Sequence, residues 1–560
     1  MVKNILKFVV LLLEVVSFLV NNSMCMPVVN LKKSQIFGRT IEFEGYRVNE
    51  YLGIRYAQPP VGSLRFQRTK KLRFVPSQFK ALNIPPACLQ YSESPYPWYV
   101  NGSYKSEDCL FLNIWTPVDA SPSNQKAVLF WIHGGGFRFG SIQDQLYNGV
   151  PLAGIGDIIV VTVNYRLGAF GFLTTGTKEA PGNAGLWDIL EGLKWVNQNI
   201  GYFGGDTSRI TIAGESAGSI AVGYLSISPL ATDLFSQMIM ESGSPAVPTQ
   251  DTKLLNIAFT EQIAIKVGCA TNRQSVVKCL KDVEAEDLER AEFETMPKTT
   301  SHFFPQYGDE FLPKNPQKSV SSGEFRCKKL LIGNNLDEGS VFVSTSAPEI
   351  FGFFGEKIKQ SSPPIGAKQA EEIIKSILPD LQSTVKSPVP DNSLLKSISN
   401  LKLDIQQKIL HSLFQKAFNS SLHEFHTLLG DLLVVCPNVY YAENCAENGG
   451  DVYFYFFAHR PSTTPWAPWM GVTHFEEVQF VFGRPVLDFY PYRAEERTLS
   501  TYVIKIWSNF VITGKPNNCW PLYSKKNPVF RYIGKRNSKK KYGTAPHKQN
   551  CDIFRLLTSI

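Results

Sequence analysis

The chain has 560 residues, of which 43% are hydrophobic and 19% are charged, and its formal net charge is +8. This composition is typical of a soluble globular protein. Much of the positive excess lies between Lys535 and Lys548, where Tyr542 is the only interleaved aromatic residue. A nucleic-acid groove needs several stacking aromatics, so this class of partner is excluded. The run is interpreted as a solvated loop, with a patch for anionic surfaces or polysaccharide as the alternative.

The N-terminus has the pattern of a secretory signal. Lys3 and Lys7 precede the apolar stretch Phe8–Val20, and the small residues Ser23 and Cys25 follow at positions suited to cleavage. Residues 1–25 are therefore predicted to be a signal peptide, too short to span a membrane. The sequence ends in RLLTSI, without a retention signal or anchor tail. We expect a secreted, extracellular product with no membrane anchor.

Short apolar runs alternate with helical patterns along the rest of the chain. Two helical patterns are Trp187–Asn199 and Ser500–Thr513, the latter closed by Gly514. The region from about 379 to 400 is rich in Ser and Pro and is predicted to be a loop. The runs predicted to be buried strands are Ala127–His133, Asp157–Val163, Arg209–Ala213, Gln237–Glu241, Lys329–Gly333 and Val452–Phe457. This alternation predicts an α/β fold with a large, mostly parallel central sheet flanked by helices, built as one catalytic domain over residues 26–560.

Beyond the signal, nine cysteines remain, and an oxidising compartment favours disulfides among them. Their spacing does not fix the pairing, and an odd number leaves at least one thiol unpaired or intermolecular. No zinc-type array of Cys and His occurs, so no metal is expected. Asn101 and Asn419 begin glycosylation sequons that fit secretion.

The segment Gly214–Gly218 reads GESAG and stands between a predicted strand and a predicted helix. That context is the one in which a Gly-x-Ser-x-Gly motif forms a sharp nucleophile elbow. Ser216 is therefore the candidate nucleophile, and a purely structural turn is the alternative.

A second glycine-rich segment, HGGG, follows the strand that ends at His133. Consecutive glycines let the backbone present N–H donors to a developing alkoxide. Gly135, Gly136 and Ala217 are predicted to form an oxyanion hole. His133 is interpreted as structural rather than catalytic.

The base and the acid of a triad are less clear from the residues alone. Among the six histidines that lie beyond both Ser216 and any plausible acid, His459 follows a strand and His474 lies in a loop, and either suits a general base. His547 lies in the basic loop, and three in helix-like stretches are interpreted as surface residues: His411, His423 and His426. Asp337 and Glu338 both follow the strand KLLIG, at the edge where sites in open α/β sheets gather. Spacing does not choose between them.

Four segments resemble the type-B carboxylesterase and cholinesterase family. Residues 203–218 resemble the signature around its nucleophile at every fixed position, and residues 107–117 resemble its second signature, with Phe111 where Tyr is usual. Residues 51–66 resemble its N-terminal block, with Arg55 where Pro is common, and residues 470–483 resemble its histidine block. The resemblance covers about residues 30 to 560 and implies the α/β-hydrolase fold.

The resemblance implies Glu338 as the acid and His474 as the base of a Ser-Glu-His triad that needs no cofactor. It implies two structural ion pairs, Arg65 with Glu107 and Arg166 with Asp188. It also implies three disulfides, Cys88–Cys109, Cys269–Cys279 and Cys436–Cys551. A further pair, Cys445–Cys519, is a guess, and it would leave Cys327 unpaired.

The resemblance is closer to a general carboxylesterase than to a cholinesterase. Val341 stands where cholinesterases carry a gorge Phe, and it is followed by Phe342. Thr299 and Ser301 stand near their acyl-pocket phenylalanines, and Trp98 lies roughly where their choline-binding Trp occurs. We therefore expect hydrolysis of small-molecule carboxylic esters. The alternatives are choline ester hydrolysis, and a slow-turnover or non-catalytic binding protein that sequesters esters.

Overall fold

The structure is a computed structural model that describes residues 26–91, 104–247, 252–269, 273–295, 303–351, 393–488, 491–534 and 541–558, with 361, 366, 368–369 and 372–373 between them. The predicted signal peptide lies outside the described residues, as do Trp98, Asn101, Thr299, Ser301 and most of the basic run near the C-terminus. In the described part, no helix has both the length and the hydrophobicity needed to cross a membrane.

An eleven-stranded sheet forms the centre of the molecule. Its strands, in chain order, are β1 (Arg39–Phe43), β2 (Tyr46–Arg55), β3 (Phe111–Pro117), β4 (Lys126–Ile132), β5 (Ile159–Val163), β6 (Gly205–Glu215), β7 (Gln237–Glu241), β8 (Lys329–Asn335), β9 (Asp451–Phe457), β10 (Val529–Ile533) and β11 (Tyr542–Thr544). Across the sheet the order is β11-β10-β9-β8-β7-β6-β4-β5-β3-β2-β1.

The seven neighbouring strands at the centre of this sheet are parallel, in the order β5-β4-β6-β7-β8-β9-β10. The two margins of the sheet are antiparallel. All six predicted strands occur in the parallel part. They are buried on both faces, which is why they read as continuous apolar runs rather than as alternating patterns. The predicted α/β-hydrolase architecture with a mostly parallel sheet is confirmed.

Helices cover both faces of the sheet. They are α1 (Val150–Gly156), α2 (Gly168–Phe172), α3 (Ala184–Asn199), α4 (Ala217–Ile227), α5 (Thr252–Lys266), α6 (Arg273–Asp282), α7 (Ala285–Thr295), α8 (Pro316–Ser321), α9 (Gly339–Ser346), α10 (Pro348–Phe351), α11 (Ser393–Ser420), α12 (Leu422–Gly430), α13 (Cys436–Glu447), α14 (Val478–Val481), α15 (Arg484–Leu487), α16 (Ala494–Thr513) and α17 (Lys548–Thr558). The two predicted helices lie within α3 and α16. The predicted loop from 379 to 400 lies outside the described residues up to 392, and its end is wrong because α11 begins at Ser393.

Helix α16 shows how the sequence sets a helix end. Gly514 adopts the left-handed conformation expected at a helix stop, with a φ of 77°. The helix begins six residues before the predicted start, because the Glu496 carboxylate accepts a hydrogen bond from the Arg493 backbone N–H at 2.9 Å.

Three short strands, Val28–Leu31, Ser34–Phe37 and Gln78–Lys80, form a separate small sheet near the N-terminus. Two further pairs of short strands occur among the described residues: Thr174–Thr177 with Ala180–Pro181, and Ala87–Cys88 with Lys105–Ser106.

Four disulfides are present among the described residues: Cys88–Cys109, Cys269–Cys279, Cys327–Cys445 and Cys436–Cys551. Three of these are the pairs that the resemblance implied. The guessed pair between Cys445 and Cys519 is wrong, because Cys445 bonds to Cys327 while Cys519 is a free, exposed thiol.

The structure contains both of the ion pairs that the resemblance implied, and each is bidentate. Arg65 donates to both carboxylate oxygens of Glu107 at 2.7 and 2.6 Å. Arg166 does the same to Asp188 at 2.7 and 2.8 Å. Each partner would be left as an uncompensated buried charge without the other, so both pairs are costly to break singly.

Candidate active site

The candidate nucleophile stands at a sharp turn between β6, which ends at Glu215, and α4, which begins at Ala217. Ser216 has a φ of 55° and a ψ of −123°, in a region that residues with a Cβ rarely adopt. The strain is held by hydrogen bonds on both sides. Ser216 N–H donates to the Glu241 carbonyl at 2.8 Å, and Ile220 N–H donates to the Ser216 carbonyl at 2.9 Å.

The glycines of the motif are required by close packing at this turn. A Cβ on Gly214 would lie 2.6 Å from the Gly218 carbonyl carbon, and one on Gly218 would lie 2.0 Å from the Ile132 oxygen. Because both distances are far inside van der Waals contact, only glycine lets the elbow approach β4. The sequence motif is therefore explained by sterics.

The glycine loop after β4 packs directly against this elbow. A Cβ on Gly134 would lie 2.6 Å from Glu215 Oε2 and 3.1 Å from Ser216 Cβ. Gly135 and Gly136 follow with φ of 101° and 63°, and a Cβ on Gly135 would lie 2.0 Å from the Phe139 oxygen. Gly134 thus packs against the elbow, the two candidate oxyanion donors of this loop follow it in the chain, and the third, Ala217, directly follows Ser216.

His133 has the surroundings of a structural residue. It is fully buried, its ring stacks on Tyr165 at 4.5 Å, and its Nδ1 lies 2.9 Å from the Gly134 carbonyl. Burial lowers the pKa of His133 to about 4, so the ring is neutral near neutral pH. These contacts position the glycine loop.

The structure brings His474 and Glu338 together from loops that lie 136 residues apart in sequence. His474 Nδ1 lies 2.6 Å from Glu338 Oε2. Glu338 Oε1 accepts from Ser242 Oγ at 2.6 Å and from Asn335 N–H at 2.7 Å. The carboxylate is therefore fixed on both oxygens, and it orients the imidazole so that Nε2 is the ring nitrogen free for other contacts.

The two residues that competed for these roles lie in other networks. The Asp337 carboxylate accepts from Val472 N–H at 2.8 Å, and Asp337 N–H donates to the Val472 carbonyl at 2.9 Å. Asp337 thus ties the loop that carries His474 to β8. His459 instead pairs with Glu496 at 3.0 Å.

One interpretation of the other histidines is wrong. His423 is largely exposed and His411 is half-buried, but His426 is fully buried in α12. Burial lowers the pKa of His426 to about 3. The error arose because α12 packs between α9 and α11, which a helical pattern alone does not reveal.

His474 Nε2 lies 3.1 Å from Glu215 Oε1, without the alignment of a hydrogen bond. Within the described residues, Nε2 has no hydrogen-bond partner. The Phe342 ring centroid lies 5.0 Å from that of His474. Phe342 therefore contacts the site, whereas Val341 packs away from it against Trp466 and Met470.

Three further carboxyls are buried beside Glu338, and sequence reasoning did not select them. Burial, then the charges of Glu477, Glu338 and Glu241, raises the pKa of Glu215 well above its ordinary value. Burial also raises the pKa of Glu241, which accepts from Trp507 Nε1 at 2.8 Å. Burial and the charge of Glu338 raise the pKa of Glu477 to about 7.

Ser242 was missed as well, although it directly follows β7 at the edge where the site gathers. Its hydroxyl contacts Glu338 at 2.6 Å and Glu477 at 3.3 Å. The available signal was position: Ser242 follows a strand end, and Glu477 stands three residues after His474. Within the part of the chain that the structure describes, no cluster of His, Cys, Asp and Glu has the arrangement of a metal site.

The sequence matches the model of the carboxylesterase family over residues 26–554. It is 35% identical to acetylcholinesterase-1 of Trittame loki over 549 residues, covering 94% of each chain. It is 32% identical to a cholinesterase of Mus musculus, covering 95% of this chain and 89% of the relative. An acetylcholinesterase of Danio rerio is 34% identical, with 83% of this chain and 76% of the relative covered.

The fold and these matches define the class of protein as a carboxylic ester hydrolase with an α/β-hydrolase fold. The chain belongs to the carboxylesterase family.

Proposed function

We propose that this chain is a secreted serine carboxylesterase that hydrolyses small-molecule carboxylic esters through an acyl-enzyme on Ser216. The single observation that carries the proposal is the 2.6 Å contact between His474 Nδ1 and Glu338 Oε2, made beside the Ser216 elbow. A nucleophile, a base and an orienting acid are the minimum set for this chemistry.

In the proposed mechanism, His474 Nε2 takes the Ser216 proton while the hydroxyl oxygen attacks the ester carbonyl carbon. Glu338 stabilises the imidazolium that forms. The backbone N–H groups of Gly135, Gly136 and Ala217 receive the oxyanion. The alcohol leaves with the proton from His474, and water then repeats the attack to release the acid.

The buried carboxyl beside His474 is compatible with this mechanism. A charged Glu215 would form a second ion pair with the imidazolium and compete with Glu338 for it. Burial and neighbouring carboxylates raise the pKa of Glu215, which favours its neutral form and makes Glu338 the proposed counter-charge.

Secretion is part of the proposal, with residues 1–25 as the signal. It is supported by the four disulfides, which persist in oxidising compartments. Asn419 is exposed at the end of α11, where its predicted glycan would meet solvent. Asn101 lies outside the described residues.

A choline ester is the second candidate substrate, favoured by the relatives whose names are cholinesterase and acetylcholinesterase. Aromatic faces bind quaternary ammonium groups. Phe342 supplies one such face beside His474, whereas the neighbouring position holds Val341, which supplies none. We therefore place uncharged carboxylic esters ahead of choline esters.

The test is hydrolysis of p-nitrophenyl acetate by the purified protein and by Ser216→Ala. We expect turnover that the variant loses by about 10⁴-fold or more. Equal inactivity of both proteins would contradict the proposal, and one stoichiometric burst followed by arrest would indicate an ester-sequestering protein instead. If turnover is seen, kcat/KM for p-nitrophenyl butyrate and butyrylthiocholine separates the two substrate classes.

A further inference from the structure

The region around the small N-terminal sheet is unusually rich in unneutralised positive charge. Residues 51–92 contain seven Lys or Arg residues and no Asp or Glu, and residues 26–41 also contain no acidic residue. Some of these cations have partners elsewhere. Arg39 pairs with Glu50 and Arg68 with Glu310.

Five others are exposed, and none of them forms an ion pair with a carboxylate within the described residues: Lys32, Lys33, Lys70, Arg73 and Lys80. Together with Phe74 and Val75 they are called here the basic face. Its cations are free to attract an anionic partner because no internal charge neutralises them.

Strand pairing places the lysine turn beside one end of the loop that carries Arg73 and Phe74. Lys32 and Lys33 form the turn between the first two strands of the small sheet. The third strand runs parallel to the second, and Gln35 N–H donates to the Ser77 carbonyl at 2.8 Å. The loop of residues 72–76 therefore ends beside the lysine turn.

The other end of that loop is held as well. Gln58 N–H donates to the Lys70 carbonyl at 2.9 Å, and Gln58 Nε2 donates to the Lys71 carbonyl at 2.8 Å. Lys71 Nζ donates to Gln198 Oε1 at 3.1 Å. The loop is therefore held by hydrogen bonds at both ends.

The apolar residues at the tip of this loop identify the kind of partner. Phe74 is 77% exposed and Val75 is 41% exposed, between cations on both sides. An exposed aromatic ring gains free energy by entering the interfacial layer of a bilayer, and flanking cations gain from anionic head groups. A sulfated polysaccharide would engage the cations but would leave the ring in water.

We propose that the basic face docks this protein on a lipid surface that contains anionic phospholipids. Phe74 and Val75 enter the interfacial layer, while Lys32, Lys33, Lys70, Arg73 and Lys80 contact the head groups. Contact of this kind is peripheral and reversible, because one loop buries little apolar area.

The experiment measures binding of the full-length secreted chain to vesicles of phosphatidylcholine with or without phosphatidylserine. The variants are Lys70→Glu/Arg73→Glu and Phe74→Ser. Lys525→Glu/Lys526→Glu makes the same charge change on an exposed turn elsewhere, and Leu556→Ser removes an exposed apolar side chain that is 79% exposed on α17. Hydrolysis of a soluble ester by each variant reports that it is folded.

We expect binding only to the vesicles with phosphatidylserine. Lys70→Glu/Arg73→Glu should weaken it by roughly tenfold or more, and Phe74→Ser should weaken it measurably while the control variants do not. Absence of binding by the wild-type chain overturns the proposal, as does equal loss in the control variants. Retention on heparin that requires Lys70 and Arg73 but not Phe74, without vesicle binding, would replace the lipid with a polysaccharide.

Discussion

Two contacts between a histidine and a glutamate, in different parts of the described chain, have different surroundings. His474 and Glu338 meet at 2.6 Å beside the Ser216 elbow and the glycine loop. His459 and Glu496 meet at 3.0 Å at the start of α16, where Glu496 also accepts from Ser462 N–H at 2.6 Å and from Arg493 N–H. A contact between an imidazole and a carboxylate therefore does not by itself define a catalytic site. What distinguishes His474 is the strained Ser216 elbow and the glycine loop near it, to which we assign the nucleophile and the oxyanion donors under the proposed mechanism.

The largest contrast is expected between the two histidines. His474→Gln should lower kcat by about 10⁴-fold or more, because it removes the proton acceptor for Ser216. His459→Gln should keep kcat within about twofold and lower the free energy of unfolding by about 1 kcal/mol, since it loses one hydrogen bond to Glu496. Ester hydrolysis and urea unfolding of both variants measure this. Comparable loss of kcat in both would break the comparison.

Variants of the two glutamates, Glu338 and Glu496, should differ in kcat and stability in the same way as variants of the two histidines. Glu338→Gln should lower kcat by about 10³- to 10⁴-fold, because an amide neither stabilises the imidazolium nor holds the required tautomer. Glu496→Gln should leave kcat unchanged but cost about 2 kcal/mol of stability, because its carboxylate serves several donors at once. Asp337→Asn is the matched neighbour of Glu338, and a loss equal to that of Glu338→Gln would contradict the assignment of the acid.

The glycine loop, like the Ser216 elbow, lies near the His474 pair and is lacking at the His459 pair. Gly135→Ala places a Cβ 2.0 Å from the Phe139 oxygen at a φ of 101°, so the loop must shift. Displacing one oxyanion donor costs about 10²- to 10³-fold in kcat. Gly449→Ala, also at positive φ but with no atom within 4 Å of its Cβ, is the control for strain alone. Equal kcat for the two variants would exclude the loop from the oxyanion site.

The last prediction concerns the pH dependence of stability, which should have opposite signs for Glu477, near the candidate site, and for Glu496, at the start of α16. The pKa of Glu477 is raised to about 7 by burial and by Glu338. Its contribution to stability is therefore complete below its unfolded pKa and is lost as the pH rises through about 7. Glu477→Gln should gain roughly 2–4 kcal/mol relative to wild type between pH 4 and pH 8.

Glu496 provides the opposite case. Burial alone would raise its pKa, but the hydrogen bonds from Ser462, Arg493 and His459 together lower the pKa of Glu496 below its ordinary value. The contribution of Glu496 to folding stability is present above its pKa in the unfolded chain. It is lost as the pH falls through its pKa in the folded protein. The destabilisation in Glu496→Gln should therefore shrink in acid. Thermal unfolding across this pH range measures both, and parallel curves for the two variants would refute the account.

Local pattern predicted the parts of the fold that local chemistry controls. The parallel strands appear as apolar runs, and the elbow glycines appear as a motif because a Cβ fits nowhere there. His474 and Glu338 could not be chosen over His459 and Asp337 from spacing, because their contact depends on which loops the sheet order brings together. Ser242 and Glu477 were missed for the same reason, since only tertiary packing places them on Glu338. The disulfide between Cys327 and Cys445 could not be predicted for the same reason, because these residues are 118 apart in sequence.

The central claim is that Ser216 is the residue activated by His474. Its most direct test is covalent labelling with diisopropyl fluorophosphate, followed by mass spectrometry of the peptide that contains residue 216. We predict stoichiometric labelling of Ser216 in wild type and in His459→Gln, and none of that residue in Ser216→Ala or, on the same timescale, in His474→Gln. Labelling of a different residue in wild type, or labelling of Ser216 that is as fast in His474→Gln as in wild type, would contradict the claim.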